Sequence, residues 1–377
     1  MIYAAALFVA LTIFDGSRIM GSSGNTVVTM KPWGMLDGKQ VEMFTMKNSK
    51  NQEVELLNYG ATIRSFRTPD KDGKIEDVVL GFDNIEEYLA SENLCFGATI
   101  GRVANRIRNG RFTLDGVEYN TGKNRITYTL HGGMKGWGSK VWTAKIVDNT
   151  VVMTLFSPDG DEGFPGDATA TAIFSLDDEG KFTLEMKANV TKASPINLTN
   201  HVYFNIAGHG KNATELYKQT VMINADRWTV VDEENIPIGE LKSVANTVMD
   251  LRNPVVLGDV INKVPGGGYD NNFCLPNDNA EKKMTLVSKV KHPDSGRYLE
   301  IHSNQPGVQF YTALFLPEDG TPGLKGKDGQ AYFRHGSMCL ETQNYPDAVN
   351  HPNFPDSILR PGQEYHHTVT YKFGVEA

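Results

Sequence analysis

Apolar residues recur at every second position along most of the chain from about residue 40 onward. The clearest alternation runs from Phe182 to Val190, and another runs from Tyr365 to Val375. Because successive side chains of a β-strand point to opposite faces, this period of two predicts strands with one buried face. Helical periodicity is scarce, and only residues 84–91 have the pattern of a short capped helix.

Turn signals support the same fold class. Asp115-Gly116 separates two short alternating segments, 112–114 and 117–119, which predicts a β-hairpin. Turns rich in Gly, Asn and Asp follow one another closely, and no linker divides the chain. Many short strands with frequent turns are typical of a large antiparallel β-sandwich. The sequence therefore predicts an all-β fold with a single domain over residues 26–377.

The first 25 residues predict an apolar and flexible extension that precedes this domain. Ile2 to Phe14 is almost wholly apolar, too short for a transmembrane helix and of a length suited to a signal-peptide core. No Lys or Arg precedes it, and no small-residue cleavage site follows. We therefore expect a cytoplasmic protein without membrane association. The alternative is a secreted form, for which Asn189 and Asn212 are glycosylation triplets.

Composition narrows the classes of function. The 377 residues are 40% hydrophobic and 22% charged, as in ordinary globular proteins. The formal net charge of −8 argues against nucleic acid as a partner. Cys95, Cys274 and Cys339 are widely spaced in apolar contexts, which predicts three free, buried thiols and a reducing compartment. No metal-ligand spacing and no Gly-rich phosphate loop occurs, so we expect neither metal nor cofactor.

One carboxylate stands out near the C-terminal end. Glu341 follows the apolar residues 338–340 and precedes Thr342-Gln343-Asn344. The pattern predicts that Glu341 lies where a buried strand leaves the core. Partial burial there would raise its pKa and make it a better base than a surface glutamate. A strand-end glutamate bonded to backbone amides is the structural alternative.

Further polar residues lie in apolar or Gly-rich segments. Arg102 and Arg106 lie in the small-residue run GATIGRVANRI, where each needs a carboxylate or a ligand as partner. His131 precedes two glycines, which would allow a ligand to approach the backbone. His201 is predicted on a strand among aromatic residues, where its charge can be tuned near neutral pH. A loop histidine and a core histidine are the respective structural alternatives.

Two later segments complete the set. Asp270 enters an apolar strand from the loop GGGYD, and Gln309 lies beyond the tight turn of NQPGVQF. Arginine, histidine, carboxylate and amide side chains with aromatic neighbours are the groups expected in a carbohydrate site. The planar polar groups would bind hydroxyls, and the aromatic faces would cover the C–H surface of a sugar.

Six ordered motifs resemble those of the aldose 1-epimerase (galactose mutarotase) family: GRVANRI, LHGG, NLTNHVYFN, GYDNNF, NQPGVQFYT and LETQNYPDAVNHPNFP. The resemblance runs from about Glu42 to the C-terminus. It implies a single β-sandwich of the supersandwich type, a site open on one face, and no metal or organic cofactor. The substrate that it implies is a small free aldose such as galactose or glucose.

The resemblance also implies residue roles. His201 matches the family's general acid and Glu341 its general base, while the substrate-binding positions are matched by Asn105, Arg106, His131, Asp270 and Gln309. Val202, Tyr345 and Asn271 depart from the usual Ser, Trp and His. Of these departures, Asn271 adjoins the predicted binding aspartate and could change substrate preference.

Three alternatives remain open on the sequence. A glycoside hydrolase would use Asp270 and Glu341 as its carboxylate pair. A non-catalytic sugar-binding relative would be expected to lack the acid or the base, and both are present. A phosphosugar epimerase would need a basic cluster, for which Arg102, Arg108 and Arg111 are the candidates.

Overall fold

The computed structural model describes residues 26–276 and 283–376, and strands dominate this part of the chain. The strands of the first half are β1 (Val27–Leu36), β2 (Lys39–Lys47), β3 (Glu53–Leu57), β4 (Thr62–Pro69), β5 (Ile75–Asp77), β6 (Thr99–Ile100), β7 (Arg106–Arg108), β8 (Arg111–Leu114), β9 (Val117–Asn120), β10 (Tyr128–Leu130), β11 (Thr143–Val147), β12 (Thr150–Ser157), β13 (Ala168–Leu176) and β14 (Lys181–Val190). Those of the second half are β15 (Ser194–Pro195), β16 (Thr199–Asn200), β17 (Thr220–Ile223), β18 (Arg227–Val231), β19 (Pro237–Ser243), β20 (Val255–Val256), β21 (Asp270–Cys274), β22 (Thr285–Lys291), β23 (Arg297–Ser303), β24 (Gly307–Tyr311), β25 (Leu324–Lys325), β26 (Ala331–Tyr332), β27 (Cys339–Gln343), β28 (Ile358–Leu359) and β29 (Tyr365–Val375). The helices are short: α1 (Ile85–Ala90), α2 (Asn212–Leu216) and α3 (Leu257–Val260), with single 3₁₀ turns at Glu92–Leu94, Trp137–Ser139, Asp161–Gly163, Ile261–Lys263, Lys327–Gly329 and Ala348–Asn350.

Three large sheets carry most of these strands. The largest has nine strands in the order β11-β12-β13-β14-β29-β23-β22-β17-β20. Two five-stranded sheets have the orders β1-β2-β3-β4-β5 and β19-β18-β21-β24-β27. Neighbouring strands pair antiparallel, for example β14 with β29 and β24 with β27. The predicted all-β antiparallel sandwich is confirmed.

The core forms where the sheets bury their apolar faces. On β14, the alternate residues from Phe182 to Val190 are buried, as the period of two predicts. Phe66 of β4 packs with its ring centroid 4.4 Å from that of Phe373 on β29, which joins the first sheet to the nine-stranded one. Phe310 of β24 belongs to the same cluster of buried residues. All three sheets therefore share one core.

The local predictions are also confirmed. Strand β29 spans the predicted residues 365–375. Strands β8 and β9 form the predicted hairpin, with positive φ at both Asp115 (51°) and Gly116 (81°), as a type I′ turn requires. Helix α1 begins after Asn84, whose side chain accepts a hydrogen bond from the Glu87 amide at 2.9 Å.

The predicted extension over residues 1–25 lies outside the described residues. Within the described part of the chain, no helix has both the length and the apolar character needed to cross a membrane.

Candidate active site

The floor of the site is the outer face of the sheet that contains β21, β24 and β27. Alternation along these strands places Val308, Phe310 and Leu340 in the core and turns the residues between them to the opposite face. On that face Gln309 pairs with Glu341 across β24 and β27. Asp270 pairs with Tyr311 across β21 and β24. The register of three strands thus brings together polar residues that are far apart in sequence.

A cavity of about 330 Å³ opens above this face. All seven residues that the sequence predicts for the site line this cavity: Asn105, Arg106, His131, His201, Asp270, Gln309 and Glu341. The other lining residues are Asn93, Leu94, Arg125, Tyr128, Leu130, Tyr203, Tyr311 and Phe315. The structure therefore gathers the predicted polar groups and the aromatic faces around one space. The volume suits a small ligand.

Glu341 is the central residue of β27 and is only 2% exposed. The prediction that it lies at the end of the strand is wrong, because β27 continues for two residues beyond it. Burial raises the pKa of Glu341 well above its ordinary value, and the charge of Asp270 adds to this effect, while Arg106 opposes it. The Glu341 Oε2 atom has no hydrogen-bond partner among the described residues.

His201 follows the two-residue strand β16 in an irregular segment, so its prediction on a strand is wrong. Backbone hydrogen bonds with Gly97 and Ala98, both at 2.9 Å, fix the segment in place. The ring stacks on Tyr203 with centroids 5.0 Å apart, which confirms the predicted aromatic surroundings. The Nε2 atom of His201 lies 3.6 Å from Oε1 of Glu341. Burial lowers the pKa of His201 to about 4.

Asp270 is the centre of a hydrogen-bond network at the cavity wall. Its Oδ2 atom accepts from Nη2 of Arg106 at 3.2 Å, and its Oδ1 atom accepts from Nε2 of Gln309 at 2.7 Å. Arg106 also donates to the Asn105 side chain at 3.3 Å and lies over the Tyr128 ring. Its Nε atom has no partner among the described residues. The network fixes three side chains with polar atoms beside the cavity.

Asn105 and His131 hold each other through two hydrogen bonds. The His131 amide donates to the Asn105 carbonyl at 3.0 Å, and the Asn105 amide donates to Nδ1 of His131 at 3.2 Å. Burial, together with the neighbouring His201 and Arg106, lowers the pKa of His131 well below its ordinary value. Because Nδ1 accepts, the neutral ring carries its proton on Nε2 and can donate from there.

The two glycines after His131, which the sequence predicts to allow ligand approach, both lie close to neighbouring segments of the chain. Gly132 has a φ of 86°, and a Cβ atom there would collide with the carbonyl of Gly101. A Cβ atom on Gly133 would collide with the carboxylate of Glu162. These glycines allow the chain to pack closely against itself next to His131.

Arg102 and Arg106 have different roles, although they share one motif. Arg102 is buried away from the cavity and donates to Ser157 and to the carbonyls of Pro158, Pro165 and Gly166 at 2.8–3.0 Å. Arg108 pairs with Asp232, and Arg111 pairs with Glu118. None of the three candidates for a phosphate-binding cluster lines the cavity.

Sequence reasoning missed Arg125, Tyr128, Tyr311 and Phe315 as cavity residues. A signal existed for Tyr311, because it lies two residues after Gln309 and therefore on the same face of β24. Arg125 lies in a loop, where periodicity gives no information. The three departures Val202, Tyr345 and Asn271 do not line the cavity.

The three cysteines are free. Cys274 and Cys339 are buried, as predicted, whereas Cys95 is partly exposed. Cys339 lies on β27 two residues before Glu341, on the same face of the strand.

Comparison with known proteins agrees with this geometry. A family model described as "Aldose 1-epimerase" matches residues 42–372. The "Galactose mutarotase" of Bos taurus is 45% identical over 335 residues, which are 89% of this chain and 94% of that protein. The protein of the same description from Rattus norvegicus is 46% identical over 338 residues, 90% of this chain and 95% of that one.

A solved structure shows the same fold. An aldose epimerase homologue from C. elegans superposes with a TM-score of 0.79 at 29% sequence identity. The match covers 87% of this chain and 97% of the nematode protein. The motifs, the fold, the cavity and the relatives lead to one conclusion: this chain is a member of the aldose 1-epimerase family.

Proposed function

We propose that the protein interconverts the α and β anomers of free aldohexoses, galactose and glucose among them, by opening and reclosing the sugar ring. The observation that carries the proposal is the 3.6 Å separation of His201 Nε2 and Glu341 Oε1 inside the cavity. The hydroxyl oxygen O1 and the ring oxygen O5 of an aldose are both bonded to C1. An acid and a base that serve these two oxygens must therefore lie close together.

The reaction needs only proton transfers. Glu341 as carboxylate takes the proton of the O1 hydroxyl while protonated His201 gives a proton to O5. The C1–O5 bond breaks, and the electron pair on O1 forms the aldehyde C=O bond. After rotation about C1–C2, the same two groups run the steps in reverse and close the other anomer. A positioned acid or base contributes about 10²–10⁴ in rate.

The remaining polar groups bind the sugar so that its O1 and O5 atoms lie next to Glu341 and His201. Arg106, Asp270 and Gln309 are linked by hydrogen bonds, and each has polar atoms beside the cavity. Such a fixed array binds vicinal hydroxyls with little loss of side-chain entropy. His131 offers its Nε2 proton, and Tyr311 and Phe315 offer aromatic faces. The sugar's reacting oxygens are thereby kept near the two catalytic groups.

The alternatives are less favoured by the same contacts. Asp270 has one donor on each oxygen, Arg106 and Gln309, which suits a binding group better than the second carboxylate of a hydrolase. A purely sugar-binding protein would have no use for an acid and a base this close together. The arginines proposed for a phosphate cluster are engaged elsewhere.

Polarimetry tests the proposal directly. Freshly dissolved α-D-galactose and α-D-glucose should approach their equilibrium rotation faster with purified protein than in the same buffer alone. Heat-denatured protein serves as the control for buffer catalysis. An unchanged approach to equilibrium with both sugars would refute the proposal.

We also propose that the protein works in a reducing compartment. Its three cysteines are free, as is typical of proteins in reducing compartments. Burial raises the pKa of the Cys274 thiol to about 11, so this thiol is mainly protonated near neutral pH and reacts slowly with oxidants. Thiol titration of denatured, non-reduced protein isolated from its source should find three thiols. Fewer thiols, or a glycan on Asn189 or Asn212, would support the secreted alternative.

A further inference from the structure

A third side chain with metal-binding character lies beside the catalytic pair. One ligand atom each of His201, Cys339 and Glu341 lie within 4.8 Å of one another. All three residues are buried, and Cys339 and Glu341 project from the same face of β27. Sequence spacing did not reveal this group, because His201 is contributed by a distant segment.

The chemistry of the three atoms is specific. An imidazole nitrogen, a thiol sulfur and a carboxylate oxygen form the kind of mixed set that binds Zn²⁺ and similar borderline ions. Three protein ligands leave a fourth position, and His201 and Glu341 both line the cavity, from which an ion can reach the group. Magnesium prefers oxygen ligands and an octahedral shell, so this set selects against it.

Several atoms of the group are not otherwise engaged. Glu341 Oε2 and His201 Nδ1 have no hydrogen-bond partners among the described residues. Cys339 does not line the cavity and has no part in the proposed proton transfers. Its thiol can therefore serve as a ligand without a competing role in the reaction.

A second group of potential metal ligands lies within the described part of the chain, but a lysine already neutralises its carboxylates. Glu215, His292 and Asp294 also come together. There, the ammonium group of Lys218 lies 2.9 Å from both carboxylates and occupies the place of a cation. This second group serves as a control.

We propose that His201, Cys339 and Glu341 form an inhibitory site for Zn²⁺ and ions of similar softness, which competes with the sugar. The inhibition rests on the proposed function, whereas metal binding does not. On binding, the Cys339 thiol and the Glu341 carboxyl give their protons to solvent, and the ion takes electron pairs from the thiolate, the carboxylate and the neutral His201 ring. The bound ion thus removes both the acid and the base and blocks the place of the reacting oxygens.

Inhibition of mutarotation is the first test. Zn²⁺ should raise the apparent KM for galactose, Mg²⁺ at the same concentration should not, and a chelator should restore the rate. Cys339→Ala should remain active and should need at least about tenfold more Zn²⁺ for half-inhibition. Cys274→Ala, which removes a buried thiol elsewhere, should keep the wild-type sensitivity. Equal Zn²⁺ sensitivity of Cys339→Ala and wild type would overturn the inference.

Cobalt spectroscopy is the second test and needs no activity. Co²⁺ bound to a thiolate gives a charge-transfer absorption in the near ultraviolet, which is expected in wild type, in Cys274→Ala and in His292→Ala, but not in Cys339→Ala. Thermal unfolding of Cys339→Ala and Cys339→Ser checks that both variants fold. If wild type shows this band but does not catalyse mutarotation, the metal site is supported and the proposed function is refuted. The absence of the band from wild type would refute the metal site alone.

Discussion

The central question at the scale of single residues is where the proton of the catalytic pair resides. Burial favours the neutral form of both groups, since it raises the pKa of Glu341 and lowers that of His201. Between these two pKa values, the sugar-free pair holds one proton, on Glu341. The proposed mechanism also needs one proton on the pair, but on His201. Moving that proton from Glu341 to His201 leaves the net charge of the pair unchanged. The hydroxyl groups of a bound sugar can stabilise the resulting carboxylate by hydrogen bonding.

Removing either member of the pair should stop the chemistry and leave the fold intact. We expect Glu341→Gln and His201→Asn each to lower kcat at least about 10²-fold, because each variant loses one proton carrier. Polarimetry gives the rates, and thermal unfolding checks the fold. The surface variant His366→Asn should keep the wild-type rate. A folded Glu341→Gln protein with near-normal kcat would show that the base lies elsewhere.

The pH profile should report a pair that is active with one proton. Below the His201 pKa of about 4 the pair carries two protons, and above the raised pKa of Glu341 it carries none. We therefore expect a bell-shaped kcat/KM with an acid limb near pH 4 and an alkaline limb well above the ordinary carboxyl value. The spontaneous rate at each pH must be subtracted.

The charge of Asp270 should influence the position of both limbs of this pH profile. Asp270 raises the pKa of Glu341 and that of His201. Removing its charge in Asp270→Asn lowers both values, so both limbs should move to lower pH. An alkaline limb that stays in place or moves to higher pH would contradict the effect of the Asp270 charge on Glu341.

The same variant tests the binding role of Asp270. Asp270→Asn weakens the anchor of Arg106 and Gln309, and the sugar loses the same contacts in the ground state and in the transition state. We expect KM for galactose to rise by more than kcat falls. Initial rates over a range of galactose concentrations at the optimal pH of each protein separate the two constants. A collapse of kcat at unchanged KM would reopen the hydrolase-like use of two carboxylates.

At the scale of elements, the strands were the most predictable part of the molecule. The alternation over residues 182–190 and 365–375 located β14 and β29, because half-buried strands leave a period of two in the sequence. Positions within loops were less predictable. The sequence predicts His201 on a strand, but strand β16 ends at Asn200. Periodicity cannot show where the backbone pairing of a strand ends.

The two arginines of GRVANRI illustrate what sequence leaves open. Both needed a partner, and the sequence could not distinguish a structural partner from a ligand. Arg102 bonds to the segment 157–166, and Arg106 bonds to Asp270 at the cavity. The choice depends on long-range contacts that no local pattern encodes.

Matched substitutions separate these two roles. Arg102→Lys keeps the charge but loses the planar fork, so buried carbonyls lose their donors. We expect its free energy of unfolding to fall by about 1–3 kcal/mol, with kcat of the folded protein unchanged. Arg106→Lys should instead raise KM for galactose and change stability less. Denaturant unfolding and polarimetry on both variants decide the matter, and exchanged outcomes would show that the roles are reversed.

At the scale of the whole molecule, the family and the sandwich were predictable, whereas the connections between its parts were not. Six motifs identify residues of one site, and the seven predicted cavity residues come from segments scattered between residues 105 and 341. A long-range contact elsewhere in the fold is the buried pair of Asp77 on β5 and Lys327 in a 3₁₀ turn, with Nζ and Oδ2 2.7 Å apart. Nothing in the local sequence of either residue indicates the other.

This buried pair should make stability depend on pH at the acid end. Burial alone would raise the pKa of Asp77, but the charge and hydrogen bond of Lys327 and the hydroxyl of Ser65 outweigh it and hold the pKa at about 2. A carboxyl whose pKa is lower in the folded than in the unfolded chain stabilises the fold above the unfolded value of 3.8. That contribution is lost as the pH falls towards 2.

Asp77→Asn should therefore destabilise the protein strongly near neutral pH, because it leaves the Lys327 ammonium buried without a counter-charge. We expect a loss of about 3–5 kcal/mol, measured by urea unfolding. The difference from wild type should shrink as the pH is lowered towards 2, since wild-type Asp77 then becomes neutral as well. Asp115→Asn, which removes a carboxylate from an exposed pair with Arg360, should unfold like wild type. A deficit in Asp77→Asn that stays constant from neutral to acid pH would show that the pair contributes packing rather than charge.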